Sequence, residues 1–158
     1  MLLKELEIEA DEFENSGWYL IHAAVKSGNV DVVKFLIECG VDVNRRDLRQ
    51  KQTSLEISVD EPRWKPAIIR LLLGAGANLT LPGEGGLLPI HFAVQGKKLP
   101  AVKILLEHGA DPNILFPYPD PFDESQLVSS IRVAGDVALA LLAGGADVNT
   151  RGSDDIAE

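Results

Sequence analysis

Residues 104–113 read Ile-Leu-Leu-Glu-His-Gly-Ala-Asp-Pro-Asn, and this stretch decides the fold because its pattern occurs four times. In every copy an apolar run leads into glycine, and in three copies an Asp-x-Asn sequence closes the segment. The other copies are residues 35–44, 71–80 and 140–149. The glycines are Gly40, Gly76, Gly109 and Gly145, which gives periods of 36, 33 and 36 residues. A period near 33 with this pattern predicts a solenoid of stacked helix pairs.

The apolar run before each glycine is predicted to be the second helix of its unit. It is apolar on most faces, as expected when neighbouring units cover both of its sides. A glycine in the left-handed conformation can end such a helix without strain at Cβ. One cationic position per helix is expected to face solvent, and it is Lys34, Arg70 and Lys103 in the first three units. The fourth unit has Leu139 there.

The first helix of each unit is predicted to begin in residues 19–22, 53–56, 88–91 and 124–127. These read Tyr-Leu-Ile-His, Thr-Ser-Leu-Glu, Leu-Pro-Ile-His and Glu-Ser-Gln-Leu. Thr caps a helix and Pro suits its first turn. Together with the period, these segments resemble the Thr-Pro-Leu-His repeats of ankyrin-repeat proteins, and the likeness covers residues 16–149. It implies an all-α solenoid of helix pairs with projecting hairpin-like loops.

The chain is predicted to have three parts. Residues 1–15 form an acidic capping helix, with Leu3, Leu6, Ala10 and Phe13 on one face at steps of 3, 4 and 3. Four repeats follow, at about 16–48, 49–84, 85–117 and 118–149, and residues 150–158 form an acidic tail. A cap suits a solenoid, whose end units otherwise expose apolar surface. The alternative is that the acidic helix is itself a recognition element.

Charge and cysteine content narrow the classes of function. The net charge is −9, of which residues 1–15 supply six acidic side chains against Lys4, or −5. No large basic face remains, so we do not expect nucleic-acid binding. The sequence has no long apolar run, so we do not expect a membrane span. Cys39 is the only cysteine, and the amino terminus does not read as a secretory signal. Both observations favour an intracellular location, cytoplasmic or nuclear.

Catalysis is not expected. His22 and His91 occupy the same position in units one and three, which predicts a repeated capping or packing role. His108 lies near a helix end, where a cation is mildly favoured. The three histidines and Cys39 form no metal-binding motif, and no nucleophile motif occurs. The sequence therefore predicts no catalytic residues, no metal site and no cofactor.

The resemblance implies a protein-binding module that uses its loops and first helices. The predicted partner-binding residues come from a cationic loop, from first-helix positions and from an aromatic loop. They are Arg45, Arg46 and Arg49; Lys26, Asp60, Glu61 and Gln95; and Phe116 and Tyr118. Two alternatives stay open: the cationic loop is merely solvated or attracts the protein's own acidic amino-terminal segment, and the aromatics fold back over a neighbouring unit.

Two functions are compatible with these features. The first is a protein-interaction module that regulates or inhibits a partner. The second is a scaffold segment of a longer ankyrin-repeat protein, and the apolar Leu139 in the last unit favours it. Leu139 also makes self-association through this end possible. The resemblance further implies that Asn44, Asn113 and Asn149 match an asparagine that is hydroxylated in some ankyrin-like proteins.

Overall fold

The computed structural model describes residues 19–60, 65–114 and 135–149, and this part of the chain is helical. It contains no strand, only an isolated bridge between Arg46 and Thr53. The helices are α1 (Leu20–Ser27), α2 (Val30–Glu38), α3 (Ser54–Asp60), α4 (Pro66–Gly74), α5 (Pro89–Gln95), α6 (Leu99–Glu107) and α7 (Gly135–Ala143), with a single 3-10 turn at Glu84–Gly86. The all-α solenoid prediction is confirmed.

The helices form two parallel rows. The first helices α1, α3 and α5 pack side by side, and the second helices α2, α4, α6 and α7 form the other row. Within each of the first three units the two helices also contact each other. The predicted start of the fourth unit's first helix, at residues 124–127, lies outside the described residues, as do the proposed cap at 1–15 and the tail at 150–158.

Local sequence signals begin and end these helices. Pro66 and Pro89 stand in the first turns of α4 and α5, and Asn29 caps α2 by accepting a hydrogen bond from the Val32 N–H at 3.2 Å. The four repeated glycines have φ between 85° and 96°, as predicted from their place after the second helices. A side chain at those positions would strain the backbone.

The core lies between the two rows and continues through all units. Each second helix contributes a buried pair of apolar side chains at the same two positions. These pairs are Val33 and Leu36, Ile69 and Leu72, Val102 and Leu105, and Ala138 and Leu141. Because every unit adds one such layer, the stability of the fold comes from contacts between neighbouring units and not from any isolated unit.

The loops after the second helices are joined by asparagine side chains. Asn44 Oδ1 accepts the N–H of Asn78 at 2.7 Å, and its Nδ2 donates to the Gly76 carbonyl at 3.0 Å. Asn113 Oδ1 likewise accepts the N–H of Asp147 at 2.7 Å. We call these cross-loop bonds asparagine staples. Thr80 holds the equivalent position in unit two, and among the described hydrogen bonds it makes no such link.

Candidate partner-binding surface

The cationic loop between units one and two is organised around its only carboxylate. Asp47 is fully buried, and its Oδ1 accepts hydrogen bonds from the backbone N–H groups of Gln50 at 3.1 Å and Gln52 at 2.9 Å. The Asp47 N–H also donates to the Gln52 carbonyl at 2.9 Å. The loop is therefore closed and held from inside, and its negative charge points away from solvent.

The base of this loop rests on the start of α1. The Arg45 guanidinium lies 4.5 Å from the centre of the Tyr19 ring, a cation–π distance. The Arg45 carbonyl accepts a hydrogen bond from His22 Nε2 at 3.0 Å. Burial lowers the pKa of His22, although this bond and the nearby Asp47 carboxylate act in the opposite direction. A neutral His22 thus supports the loop without adding charge to it.

The outer side of the loop combines cations with one apolar side chain. Leu48 is 54% exposed, and Arg49 and Lys51 on the same loop are exposed as well. Arg45 and Arg46 are half-buried. We call Arg45, Leu48, Arg49 and Lys51 the loop-45 surface. Leu48 and Lys51 are not among the predicted binding residues, although the sequence does place an apolar residue between cations in this loop.

The first-helix candidates form a separate band. Lys26, Asp60 and Gln95 are exposed and equivalent, each four residues after the buried polar residue of its helix. By helix geometry they lie on the order of 10 Å along the axis from the helix starts, where the loop-45 surface is found. The predicted set therefore occupies two bands, one near the start of the first helices and one near their end. Glu61, Phe116 and Tyr118 lie outside the described residues.

Leu139 is exposed at the position that was predicted to face solvent in every second helix. It is 68% exposed, and its equivalents Lys34, Arg70 and Lys103 are exposed too, although each has a following unit. A following unit would therefore leave this position open, so the exposure of Leu139 does not by itself favour a longer stack. Leu139 belongs to the outer row of second helices, which is charged in units one to three and apolar in unit four.

An apolar cleft lies next to Leu139 on the same outer row. It has a volume of about 310 Å³ and is lined by Lys103, Leu106 and Glu107 of α6 and by Ala140, Ala143 and Gly144 of the last unit. The cleft exists because Ala140 stands where the other units have Phe35, Leu71 and Ile104. A Cβ at Gly144 would come within 2.9 Å of Leu106, so the floor is tightly packed.

Two kinds of functional element are absent from the described part of the chain. Within residues 19–60, 65–114 and 135–149, no group of three or more His, Cys, Asp or Glu side chains could hold a metal ion. Over the same residues, no helix has the length and apolar character needed to cross a membrane.

His22 and His91 cap their helices, which is one of their predicted roles. Each accepts a hydrogen bond at Nδ1 from a backbone N–H group, that of Tyr19 at 3.4 Å and that of Leu88 at 2.8 Å respectively.

Comparison with known proteins agrees with this architecture. The ankyrin-repeat family model matches residues 16–48 and 85–115. The chain is 30% identical over 112 residues to the transient receptor potential channel pyrexia of Drosophila melanogaster, which covers 71% of this chain and 11% of that protein. It is 35% identical over 96 residues to human ankyrin repeat and SOCS box protein 6, covering 58% of this chain and 23% of that protein.

A solved structure extends the likeness to nearly the whole chain. The ankyrin repeat domain of Bcl-3, described as a unique member of the IkappaB protein family, aligns with a TM-score of 0.83 and 27% identity, covering 96% of this chain and 66% of that one. The chain has the ankyrin-repeat fold, and residues 16–48 and 85–115 match the ankyrin-repeat family model. Ankyrin repeats are protein–protein interaction modules, and the fold is a non-enzymatic interaction scaffold.

Proposed function

We propose that the chain regulates or inhibits a protein partner by binding an acidic segment of it through the loop-45 surface. The observation that supports this proposal is the inward orientation of Asp47. With that carboxylate buried, the exposed side of the loop carries the cations Arg49 and Lys51 and no carboxylate of the loop itself. Arginine suits bidentate contacts with carboxylates, and Leu48 offers an apolar contact between the charges.

The loop is also arranged to lose little entropy on binding. Its backbone is held by the Asp47 hydrogen bonds, and Arg45 is positioned over Tyr19 before any partner arrives. Such pre-organisation raises affinity because fewer groups must be ordered in the complex. The partner segment that fits best therefore carries Asp or Glu side chains next to one apolar residue. Phe116 and Tyr118 are proposed to extend this interface.

Selection from a random peptide library displayed on phage tests the proposal directly. The wild-type chain should select peptides that are rich in Asp and Glu and contain an apolar residue. Arg49→Ala/Lys51→Ala should weaken those peptides at least tenfold and reduce the salt dependence of binding, and Leu48→Ala should raise their dissociation rate. Tyr118→Ala tests the aromatic extension in the same assay.

A charge-matched control separates a specific surface from general attraction. Lys65→Ala/Lys97→Ala removes two exposed cations outside the loop and should leave binding unchanged. Equal weakening by both double variants would show that only net charge matters. Selection of neutral or basic peptides that ignore Arg49 and Lys51 would place the interface elsewhere.

The alternative function, a scaffold segment of a longer protein, rests on Val148. This residue is 69% exposed in the last loop, whereas its equivalent Val43 is buried in unit one. The chain spans 11% and 23% of the two relatives named above, so their activities as whole proteins are not assigned to it. Appending a second copy of residues 85–117 after Asn149 should raise stability if Val148 accepts a following unit. An unchanged denaturation midpoint would count against the scaffold.

Two further proposals concern assembly and location. Self-association is proposed through Leu139 and the neighbouring apolar cleft on the outer row. An intracellular location is proposed from the single, half-buried thiol of Cys39, which has no disulfide partner in the chain. Microscopy of a fluorescent fusion in cells tests the location, and secretion of the fusion would contradict it.

A further inference from the structure

The first unit exposes an apolar strip on α2 that the other units bury. Val32 and Phe35 are 42% and 41% exposed and lie one turn apart on the same helix. Their equivalents are Ile68 and Leu71 in α4, Ala101 and Ile104 in α6, and Val137 and Ala140 in α7. All of these are buried except Leu71, which is half-buried.

The strip faces the side on which a preceding unit would lie. Ala140, the equivalent of Phe35, lines the cleft between α6 and α7 opposite Leu106 of the preceding unit. In units two to four this position is therefore turned toward a neighbouring second helix. In unit one the described residues supply no such neighbour. Val32 and Phe35 therefore remain partly exposed to solvent.

We propose that residues 2–13 form a helix whose apolar face packs on Val32 and Phe35. This inference does not depend on the identity of any partner. Leu3, Leu6, Ala10 and Phe13 recur at helical spacing, while Glu5, Glu9 and Glu12 lie on other faces and can remain in solvent. The segment thus supplies the apolar surface that a preceding unit supplies elsewhere in the stack.

Length and connection fit this placement. From Leu3 to Phe13 a helix rises about 15 Å, and the nine residues of α2 rise about 14 Å. Residues 14–18 join the segment to Tyr19 and span at most about 17 Å when extended. Packed helices have axes about 8–10 Å apart, so this linker is long enough to return the segment to α2.

Disulfide trapping in the full chain tests the contact. Phe13→Cys and Val32→Cys are combined in a Cys39→Ser background, and the control pairs Phe13→Cys with Leu139→Cys, which is exposed but remote. Under mild oxidation at low protein concentration, the first pair should form an intramolecular crosslink at least tenfold faster than the control. Equal rates would overturn the proposal, and a crosslinked dimer would assign the strip to a second copy instead.

A double-mutant cycle gives a second readout that needs no new cysteine. Phe13→Ala and Phe35→Ala should each lower the equilibrium constant for folding at least fivefold in urea titrations. Their combined effect should be clearly smaller than the product of the two, because both remove one contact. The effects of Phe13→Ala and Leu139→Ala on the equilibrium constant for folding should multiply, as independent effects do. Independent effects of Phe13 and Phe35 would overturn the proposal and leave the acidic segment available as a recognition element.

Discussion

Glu56 occupies the position that His22 and His91 hold in the neighbouring units, and its environment is unusual for a carboxylate. It is fully buried, its Oε2 accepts the Thr53 N–H at 2.7 Å, and its own N–H donates to Thr53 Oγ1 at 3.3 Å. This reciprocal pair is a capping box. Burial raises the pKa of Glu56 to about 7, against the lowering effects of the Thr53 and Gly83 backbone groups and the Arg46 charge.

This raised pKa makes stability fall with pH over a defined range. The unfolded carboxyl has a pKa near 4.5, so between about pH 4.5 and 7 the folded state binds more protons than the unfolded state. The contribution of Glu56 is therefore fully present below about pH 4.5 and is lost as pH rises through about 7. The total loss is on the order of 3 kcal/mol.

Glu56→Gln should remove this dependence, because the amide keeps the acceptor oxygen but cannot ionise. We expect the free energy of unfolding of the variant, relative to wild type, to rise from pH 5 to pH 8, as measured by urea titration. Glu107→Gln, which changes an exposed carboxylate, should show no comparable trend. A Glu56→Gln difference that is constant with pH would mean that the carboxyl titrates normally.

Leu105 and Leu139 test the register of the second helices with the same residue type. Leu105 is fully buried in α6, whereas Leu139 is mostly exposed in α7. Leu105→Ala should cost roughly 2–5 kcal/mol through lost burial and the cavity left behind. Leu139→Ala should cost less than about 0.5 kcal/mol. Similar costs for both variants in urea titrations would contradict the assignment of faces.

Among the structural elements, the loops differ in how they are joined. The asparagine staples link unit one to unit two and unit three to unit four, but Thr80 leaves the middle pair of loops without one. Thr80→Asn should supply the missing hydrogen bond and stabilise the protein by about 0.5–1.5 kcal/mol. Thr80→Ser, which cannot reach the next loop, is the control. A destabilised Thr80→Asn variant would show that the longer unit two does not align its loop with the next.

The sequence was sufficient for the repeating framework but not for the loop-45 surface. The period, the left-handed glycines and the exposed cations of the first three second helices follow from residues that repeat, such as Gly76 and Arg70. The burial of Asp47 depends on where the N–H groups of Gln50 and Gln52 point, which composition does not determine. The exposure of Leu139 follows from its equivalence to Lys34 and Lys103, whereas the surface that covers it is not determined by this repeat position.

On the scale of the whole molecule, the proposed self-association through Leu139 can be tested by changing that residue. Leu139→Lys restores the type of residue found at Lys34 and Lys103 and should reduce concentration-dependent self-association, with little change in stability. Sedimentation velocity over a range of protein concentrations measures this. Leu48→Lys, on the loop-45 surface, tests whether any exposed apolar residue has the same effect. Loss of the folded state in Leu139→Lys would instead place Leu139 in the core.

The junction between units two and three adds charged contacts to its apolar packing. Arg70 pairs with Glu107 across it at 3.1 Å, and the Lys98 ammonium donates to the backbone carbonyls of Val59 and Asp60. The asparagine staples, which join the loops at the two flanking junctions, are neutral, and salt does not screen them. Ionic strength therefore acts selectively on the centre of the stack. In concentrated salt, we expect the two halves of the stack to open more independently. Amide hydrogen exchange should then show protection in units one and two that no longer follows the protection in units three and four.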